Sequence, residues 1–147
     1  MIHVLYLDDE DHNLTAFRAA FRRDFQVHVP TLPSQAFRLL QEPPIELVIS
    51  DQKMPDISGV EFFEMIMSDH PDPVRMLLTG HADIDAVIDA INKGRIYKYI
   101  AKPWNELELK KLVEEASGIY RKRAQSSERR ASYGKNLKAM REALLQL

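Results

Sequence analysis

Five short apolar segments alternate with longer amphipathic segments along the first 118 residues, and this alternation limits the possible folds more than any other feature. The apolar segments have the length of strands, are rich in β-branched and aromatic residues, and lie at 3–7, 25–29, 45–50, 74–78 and 97–100. Strands joined by helical crossovers form a parallel sheet with helices on both faces, because right-handed crossovers leave few other arrangements. The sequence therefore predicts an α/β fold with a doubly wound, five-stranded parallel sheet.

The segments between the predicted strands carry local helix signals. Ser58 and Glu61 form a capping box that predicts the start of the third helix. Ile84, Val87, Ile88 and Ile91 form a stripe at helical spacing, and Gly94 ends it. These signals support helices as the crossovers between strands.

Composition excludes several classes of protein. The chain has 147 residues, of which 45% are hydrophobic and none is cysteine, so it is neither intrinsically disordered nor a disulfide scaffold, and it has no thiolate zinc site. No apolar run approaches the roughly 20 residues that a membrane span requires. The first residues show neither the basic region nor the cleavage site of a signal peptide. We therefore expect a cytoplasmic protein with no membrane partner.

Charge divides the chain into two parts. Residues 1–118 hold 12 Lys and Arg against 20 Asp and Glu, a balance of −8, whereas residues 119–147 hold 8 against 2, a balance of +6. This asymmetry predicts a domain over 1–118 and a helical linker or dimerisation extension over 119–147. Both a solvated basic helix and a functional one fit this charge pattern.

The extension carries a short apolar seam. Leu137, Met140, Leu144 and Leu147 have the 3-4-3 spacing of a coiled coil, but the seam weakens toward Gly134. Fewer than two good heptads do not hold a dimer alone, so a homodimer would need contacts from the domain as well. The basic stretch shows no recognition-helix pattern, and we do not expect this chain to bind nucleic acid.

Polar residues that suit phosphoryl chemistry follow four of the predicted strands. Asp8 and Asp9 follow the first strand, Asp51 the third, Thr79 the fourth, and Lys102 comes just after the fifth. Sites in such folds lie beyond the carboxyl ends of the strands, so these side chains are expected to converge. Three neighbouring carboxylates repel one another unless a cation lies between them, and hard oxygen ligands suit Mg²⁺. A carboxylate beside Mg²⁺ and a lysine can attack a phosphorus atom, which predicts an aspartyl-phosphate site.

Each of these residues also has an ordinary structural explanation. An acid after a strand often caps a helix, a threonine there is usually a turn residue, and a lysine before proline is usually only exposed. Their joint occurrence at corresponding ends of separate strands favours the functional interpretation.

The motifs that contain these residues resemble those of a known family. The segments VLYLDDE at 4–10, DQKMPDISG at 51–59, LLTG at 77–80 and YKYIAKP at 97–103 are similar to the receiver domain of two-component response regulators. The resemblance covers about residues 1–118 and implies a flavodoxin-like sheet with strand order 2-1-3-4-5. Trp104 and the segment AINKG at 90–94 resemble a subset of receivers that is often attached to cyclic-dinucleotide phosphodiesterase or NtrC-like transcription outputs.

The resemblance also implies a role for each matching residue. Asp51 would be the phosphoacceptor, Asp8, Asp9, Asp51 and the backbone carbonyl of Lys53 would bind Mg²⁺, and Thr79 and Lys102 would contact the phosphoryl group. The bond between Lys102 and Pro103 would be cis. The switch residues would be Thr79 and Tyr99, whose ring turns inward on phosphorylation. Lys53, Gly80 and His81 occupy positions that tune phosphate lifetime.

The implied function is that of a phosphorylation-activated switch. Its partners would be a sensor histidine kinase or phosphotransfer protein and an output domain or partner protein beyond this chain. Its only catalysis would be its own phosphorylation and dephosphorylation. Two alternatives remain open from the residues alone: a haloacid-dehalogenase-like phosphohydrolase that uses a first-strand Asp of Asp9-Glu10-Asp11, and a receiver-like interaction module that works without phosphorylation.

Overall fold

The strands of the protein form one parallel sheet at the centre of the domain. A computed structural model describes residues 1–80 and 84–147, and its strands are β1 (His3–Leu7), β2 (Gln26–His28), β3 (Ile45–Asp51), β4 (Val74–Thr79) and β5 (Lys98–Ala101). They lie in the order β2-β1-β3-β4-β5, and all of the pairings are parallel. This order confirms the predicted doubly wound fold.

Helices cover both faces of the sheet and enclose two cores. The helices are α1 (Asp11–Phe21), α2 (Pro33–Leu39), α3 (Gly59–Ile66), α4 (Ile84–Asn92) and α5 (Glu106–Leu145). One core joins β-strand residues to α1 and the first turns of α5, and the other joins them to α2, α3 and α4. All residues of β3 are buried because helices lie on both of its faces.

The apolar stripe of α4 faces the solvent more than the core. Val87 and Ala90 are fully buried, whereas Ile84, Ile88 and Ile91 are between 38% and 49% exposed. Val87 and Ala90 pack into the core, so the three isoleucines lie on the side of the helix that faces the solvent. An exposed row of large apolar residues on one helix is typical of an interaction surface.

The last helix runs without a break through the predicted domain boundary. α5 has 40 residues and includes both Gly118 and Gly134. Its buried residues end at Ser117, and from residue 125 onward its residues are exposed. Over the parts of the chain that the structure describes, no helix is both long and apolar enough to cross a membrane.

A buried carboxylate attaches α5 to the sheet. Glu46 is only 7% exposed, and its Oε1 accepts a hydrogen bond of 2.8 Å from Ser117 Oγ and lies 3.6 Å from Arg121 Nε. A buried charge is costly without partners, so these contacts fix the direction in which α5 leaves the domain.

Ser117→Ala is expected to lower the free energy of unfolding by about 1–3 kcal/mol, because it leaves the buried Glu46 without its hydroxyl donor. The matched control is Ser127→Ala, whose hydroxyl bonds to Asp72 at an exposed position and whose loss is expected to cost within about 0.5 kcal/mol. Urea unfolding of both variants measures the difference. Equal effects of the two substitutions would contradict this role of Glu46.

Candidate functional site

Three carboxylates meet at the carboxyl end of the sheet, as the sequence predicts. Oxygen atoms of Asp8, Asp9 and Asp51 lie within 4.8 Å of one another. Asp8 and Asp51 are buried, whereas Asp9 is exposed. The neighbouring pairing of β1 with β3 brings the three together, since Leu7 pairs with Ser50 and the acids come directly after.

Lys102 reaches into this acidic cluster from the segment after β5. Its Nζ lies 3.1 Å from Asp51 Oδ1 and 3.9 Å from Asp8 Oδ2. The backbone N–H of Lys102 donates to the carbonyl of Thr79, which holds the two strand ends together, and the Lys102–Pro103 bond is cis. The structure therefore places one cation directly on the candidate phosphoacceptor.

The position of Asp51 depends on a close approach by α3. A Cβ atom at Gly59 would lie 2.5 Å from the Asp51 carbonyl oxygen and 2.7 Å from a methyl carbon of Leu77, so only glycine fits there. The loop before α3 is closed by Gln52, whose carbonyl accepts from Gly59 N–H and whose side chain accepts from Val60 N–H. The predicted capping box of Ser58 and Glu61 is present at this helix start.

Burial and charge act in opposite directions on Asp51. Burial raises the pKa of Asp51 above its ordinary value, and the negative charge of Asp8 adds to the rise. The hydrogen bond and the charge of Lys102 lower it, but the net effect is a raised pKa. Asp51 is therefore a carboxylate whose negative charge is poorly solvated, and a further cation would stabilise it.

Two residues that the sequence analysis did not single out hold Asp8. Tyr6 OH donates to Asp8 Oδ2 at 2.5 Å, and Asn13 Nδ2 donates to the same oxygen at 3.1 Å. Burial, followed by the bond to Asp8, raises the pKa of Tyr6, so its hydroxyl remains a donor. The available signal was the two-residue spacing from Tyr6 to Asp8, which puts both on one face of β1.

The remaining predicted residues differ in how deeply they are buried. Thr79 is buried at the end of β4, and its hydroxyl donates to the Gly80 carbonyl at 3.2 Å. Gly80 and Lys53 are exposed, and Tyr99 is 42% exposed. His81, with its predicted effect on phosphate lifetime, lies outside the described residues.

The donor set of the cluster fits a hard divalent cation. It offers carboxylate oxygens from three aspartates, one of them open to solvent, and water can complete the coordination. Asp8, Asp9 and Asp51 are therefore the residues that could hold Mg²⁺.

Comparisons with known proteins agree with this geometry. The Hydrogenase transcriptional regulatory protein HoxA of Bradyrhizobium diazoefficiens is 36% identical over 118 residues, which cover 80% of this chain and 24% of that protein. The chain thus spans about a quarter of the length of this curated relative.

Solved structures of receiver domains are also similar. A response regulator receiver domain protein from Clostridium thermocellum has a TM-score of 0.76 and 27% identity, over 85% of this chain and 99% of that one. The solution structure of the beryllofluoride-activated NtrC4 receiver domain dimer has a TM-score of 0.74 and 27% identity, over 82% and 99% of the two chains. A family model described as the response regulator receiver domain matches residues 4–114. The chain therefore belongs to the response regulator receiver domain family.

Proposed function

We propose that this receiver domain accepts a phosphoryl group on Asp51 in a Mg²⁺-dependent reaction and thereby switches an interaction surface. The donor would be the phosphohistidine of a sensor histidine kinase or phosphotransfer protein, encountered in the cytoplasm. The contact of Lys102 Nζ with Asp51 Oδ1 at 3.1 Å, inside the cluster of three aspartates, carries the proposal. This contact places the positive charge of Lys102 next to the nucleophile, where it can stabilise the phosphoryl oxygens during the transfer.

Each residue of the site has one task in this reaction. An Asp51 carboxylate oxygen attacks phosphorus, the new P–O bond replaces the P–N bond to the donor imidazole, and the imidazole leaves with the electron pair. Lys102 offsets the charge of the phosphoryl oxygens, and Thr79 donates a hydrogen bond to one of them. Bound Mg²⁺, held by Asp8, Asp9, Asp51 and the Lys53 carbonyl, would supply further positive charge for the same oxygens.

The switch would change the surface of α4, β5 and α5. We propose that the Thr79 hydroxyl leaves the Gly80 carbonyl for the phosphoryl group and that the Tyr99 ring turns inward. Tyr99 and the three exposed isoleucines of α4 would then form a different apolar surface. A receiver domain activated by beryllofluoride is a dimer in the similar NtrC4 structure, which supports a second copy as one partner of this surface.

The remaining assignments complete the proposal. Residues 1–118 would be the receiver and 119–147 a linker or dimerisation helix toward an output domain or partner protein. Lys53, Gly80 and His81 would set the phosphate lifetime. The chain would catalyse only its own phosphorylation and dephosphorylation. The phosphohydrolase and phosphorylation-independent alternatives are not favoured, because the matched family is the receiver domain and its acidic cluster is intact.

Mass spectrometry tests the proposed function. The chain is incubated with phosphoramidate and Mg²⁺ or with EDTA, then reduced with borohydride, which converts an aspartyl phosphate to homoserine. Trypsin cleaves after Arg18, Arg38 and Lys53, so Asp51 lies on a different peptide from Asp8 and Asp9. We expect a Mg²⁺-dependent gain of one phosphoryl group in the intact mass before reduction, and homoserine at position 51, with the phosphate released, after it. Modification of the amino-terminal peptide would favour the phosphohydrolase, and no uptake at all would favour the phosphorylation-independent module.

A further inference from the structure

The carboxylate of Asp8 is almost fully occupied by donors from the protein itself. Its Oδ1 accepts from the Glu10 backbone N–H at 3.0 Å, and its Oδ2 accepts from Tyr6 OH and Asn13 Nδ2 at 2.5 and 3.1 Å. A carboxylate has about four acceptor sites, so the one that remains lies on Oδ1. The orientation of Asp8 is thus fixed before any ligand arrives.

We propose that Tyr6 is a positioning residue which, together with Asn13, holds Asp8 Oδ2 toward the protein and presents the free site of Oδ1 to the divalent cation. The proposal rests on the proposed function, since it concerns the same cation. Tyr6 suits this task because it is 1% exposed and its ring packs edge-on against Phe17, with 4.8 Å between the ring centroids. A hydroxyl held this firmly fixes its acceptor in turn.

The same contacts direct Lys102. Its Nζ lies between two carboxylates, closer to Asp51 Oδ1 than to Asp8 Oδ2. Tyr6 and Asn13 fill both acceptor sites of Asp8 Oδ2. Lys102 therefore pairs with Asp51, whose Oδ1 can still accept a hydrogen bond. Without the Tyr6 hydroxyl, Oδ2 becomes available to Lys102, and Asp8 turns away from the cation site. Loss of one hydroxyl thus weakens the cation site through its ligand.

Tyr6→Phe tests the proposal, because it keeps the ring in the core and removes only the hydroxyl. The matched control is Tyr97→Phe, whose hydroxyl also bonds to a carboxylate, that of Glu115, at the protein surface. Mg²⁺ binding is followed by the fluorescence of Trp104, which lines the same cleft as Tyr6, Asn13 and Lys102. Mn²⁺ binding, followed by electron paramagnetic resonance of the free ion, is an independent readout. Circular dichroism verifies that each variant is folded.

We expect Tyr6→Phe to raise the half-saturating concentrations of Mg²⁺ and Mn²⁺ about tenfold, and Tyr97→Phe to leave them unchanged. The phosphorylation rate of Tyr6→Phe should fall at low Mg²⁺ and recover at saturating Mg²⁺, which a general structural defect would not do. Asn13→Ala should shift the same concentrations in the same direction.

Two results would overturn the inference and are distinguishable from each other. If the wild-type protein binds neither ion, the proposed cation site fails and the role of Tyr6 fails with it. If the wild-type protein binds both ions and Tyr6→Phe binds them equally well, or Tyr97→Phe shifts them as much, the site stands and only the role of Tyr6 is wrong.

Discussion

Asp51→Asn is expected to abolish phosphoryl uptake from phosphoramidate. The carboxamide has no negative oxygen to attack phosphorus, and no other carboxylate of the cluster is placed on Lys102 at hydrogen-bond distance, since Asp8 Oδ2 is 3.9 Å from Nζ. Intact mass after incubation with Mg²⁺ measures the effect directly. The matched control is Asp56→Asn, an exposed acid in the loop that follows Asp51, which should be phosphorylated like the wild type. Uptake that persists in Asp51→Asn would contradict the assignment of the phosphoacceptor.

The same variant should be more stable than the wild type at neutral pH in EDTA. Burial raises the pKa of Asp51 in the folded state, so the folded protein binds this proton more tightly than the unfolded chain does. A group of this kind supports folding at low pH, and its contribution is lost as the pH rises through the folded-state pKa. Asparagine carries no charge and avoids this loss. The melting temperature of Asp51→Asn should therefore exceed that of the wild type at pH 7. The difference should narrow as the pH falls through the folded-state pKa of Asp51 and disappear below the ordinary pKa of aspartate.

The strand ends and the residues that follow them were predictable from sequence because both are local features. An apolar run that stops at Asp8, Asp51 or Thr79 shows where a strand leaves the core, and parallel strands bring those ends to one edge. The capping box of Ser58 and Glu61 was also predictable, since its hydrogen bonds join residues three positions apart. The strand order was predicted only from the family resemblance, because no local sequence pattern shows in which direction a crossover runs.

Contacts between distant elements were not predictable in the same way. The helical spacing of Ile84, Val87, Ile88 and Ile91 shows that α4 is a helix, but the packing of Val87 and Ala90 decides which side faces the sheet. The need for glycine at position 59 depends on the approach of α3 to Leu77 of a neighbouring strand. The two-residue spacing of Tyr6 and Asp8 shows that their side chains share a face, but the bond between them also depends on a side-chain rotamer that the spacing does not specify.

The length of α5 shows how the helix preferences of individual residues combine. Each glycine inside a helix costs about 1 kcal/mol relative to alanine, and α5 contains two of them, Gly118 and Gly134. The residues around them are mostly good helix formers such as Ala, Leu, Lys, Arg and Glu. The first of the two glycines also follows Ser117, which is fixed to Glu46. A helix already held by the core therefore continues across a residue that would end an isolated one.

Lys102→Ala is expected to slow phosphorylation of Asp51 about 100-fold, the size of effect that follows the loss of one donor to a developing negative charge. The lysine is two-thirds buried and holds its Nζ 3.1 Å from the attacking carboxylate, so its charge acts at short range. The control is Lys98→Ala on β5, whose ammonium pairs with Glu115 at the surface and whose loss should leave the rate unchanged. The time course of phosphoryl uptake at saturating Mg²⁺ measures both variants. A wild-type rate in Lys102→Ala would show that the lysine has no part in the transfer.

The pH dependence of the Lys102→Ala rate separates two causes of the loss. Lys102 lowers the pKa of Asp51 through its hydrogen bond and its charge, so its removal raises that pKa. At a given pH a smaller fraction of Asp51 then carries the negative charge needed for attack. The rate of Lys102→Ala should therefore rise with pH over a range displaced upward from that of the wild type. Recovery at high pH should remain incomplete, because ionising Asp51 restores the nucleophile but not the missing cation beside the phosphoryl oxygens. Full recovery at high pH would mean that Lys102 serves only to keep Asp51 ionised.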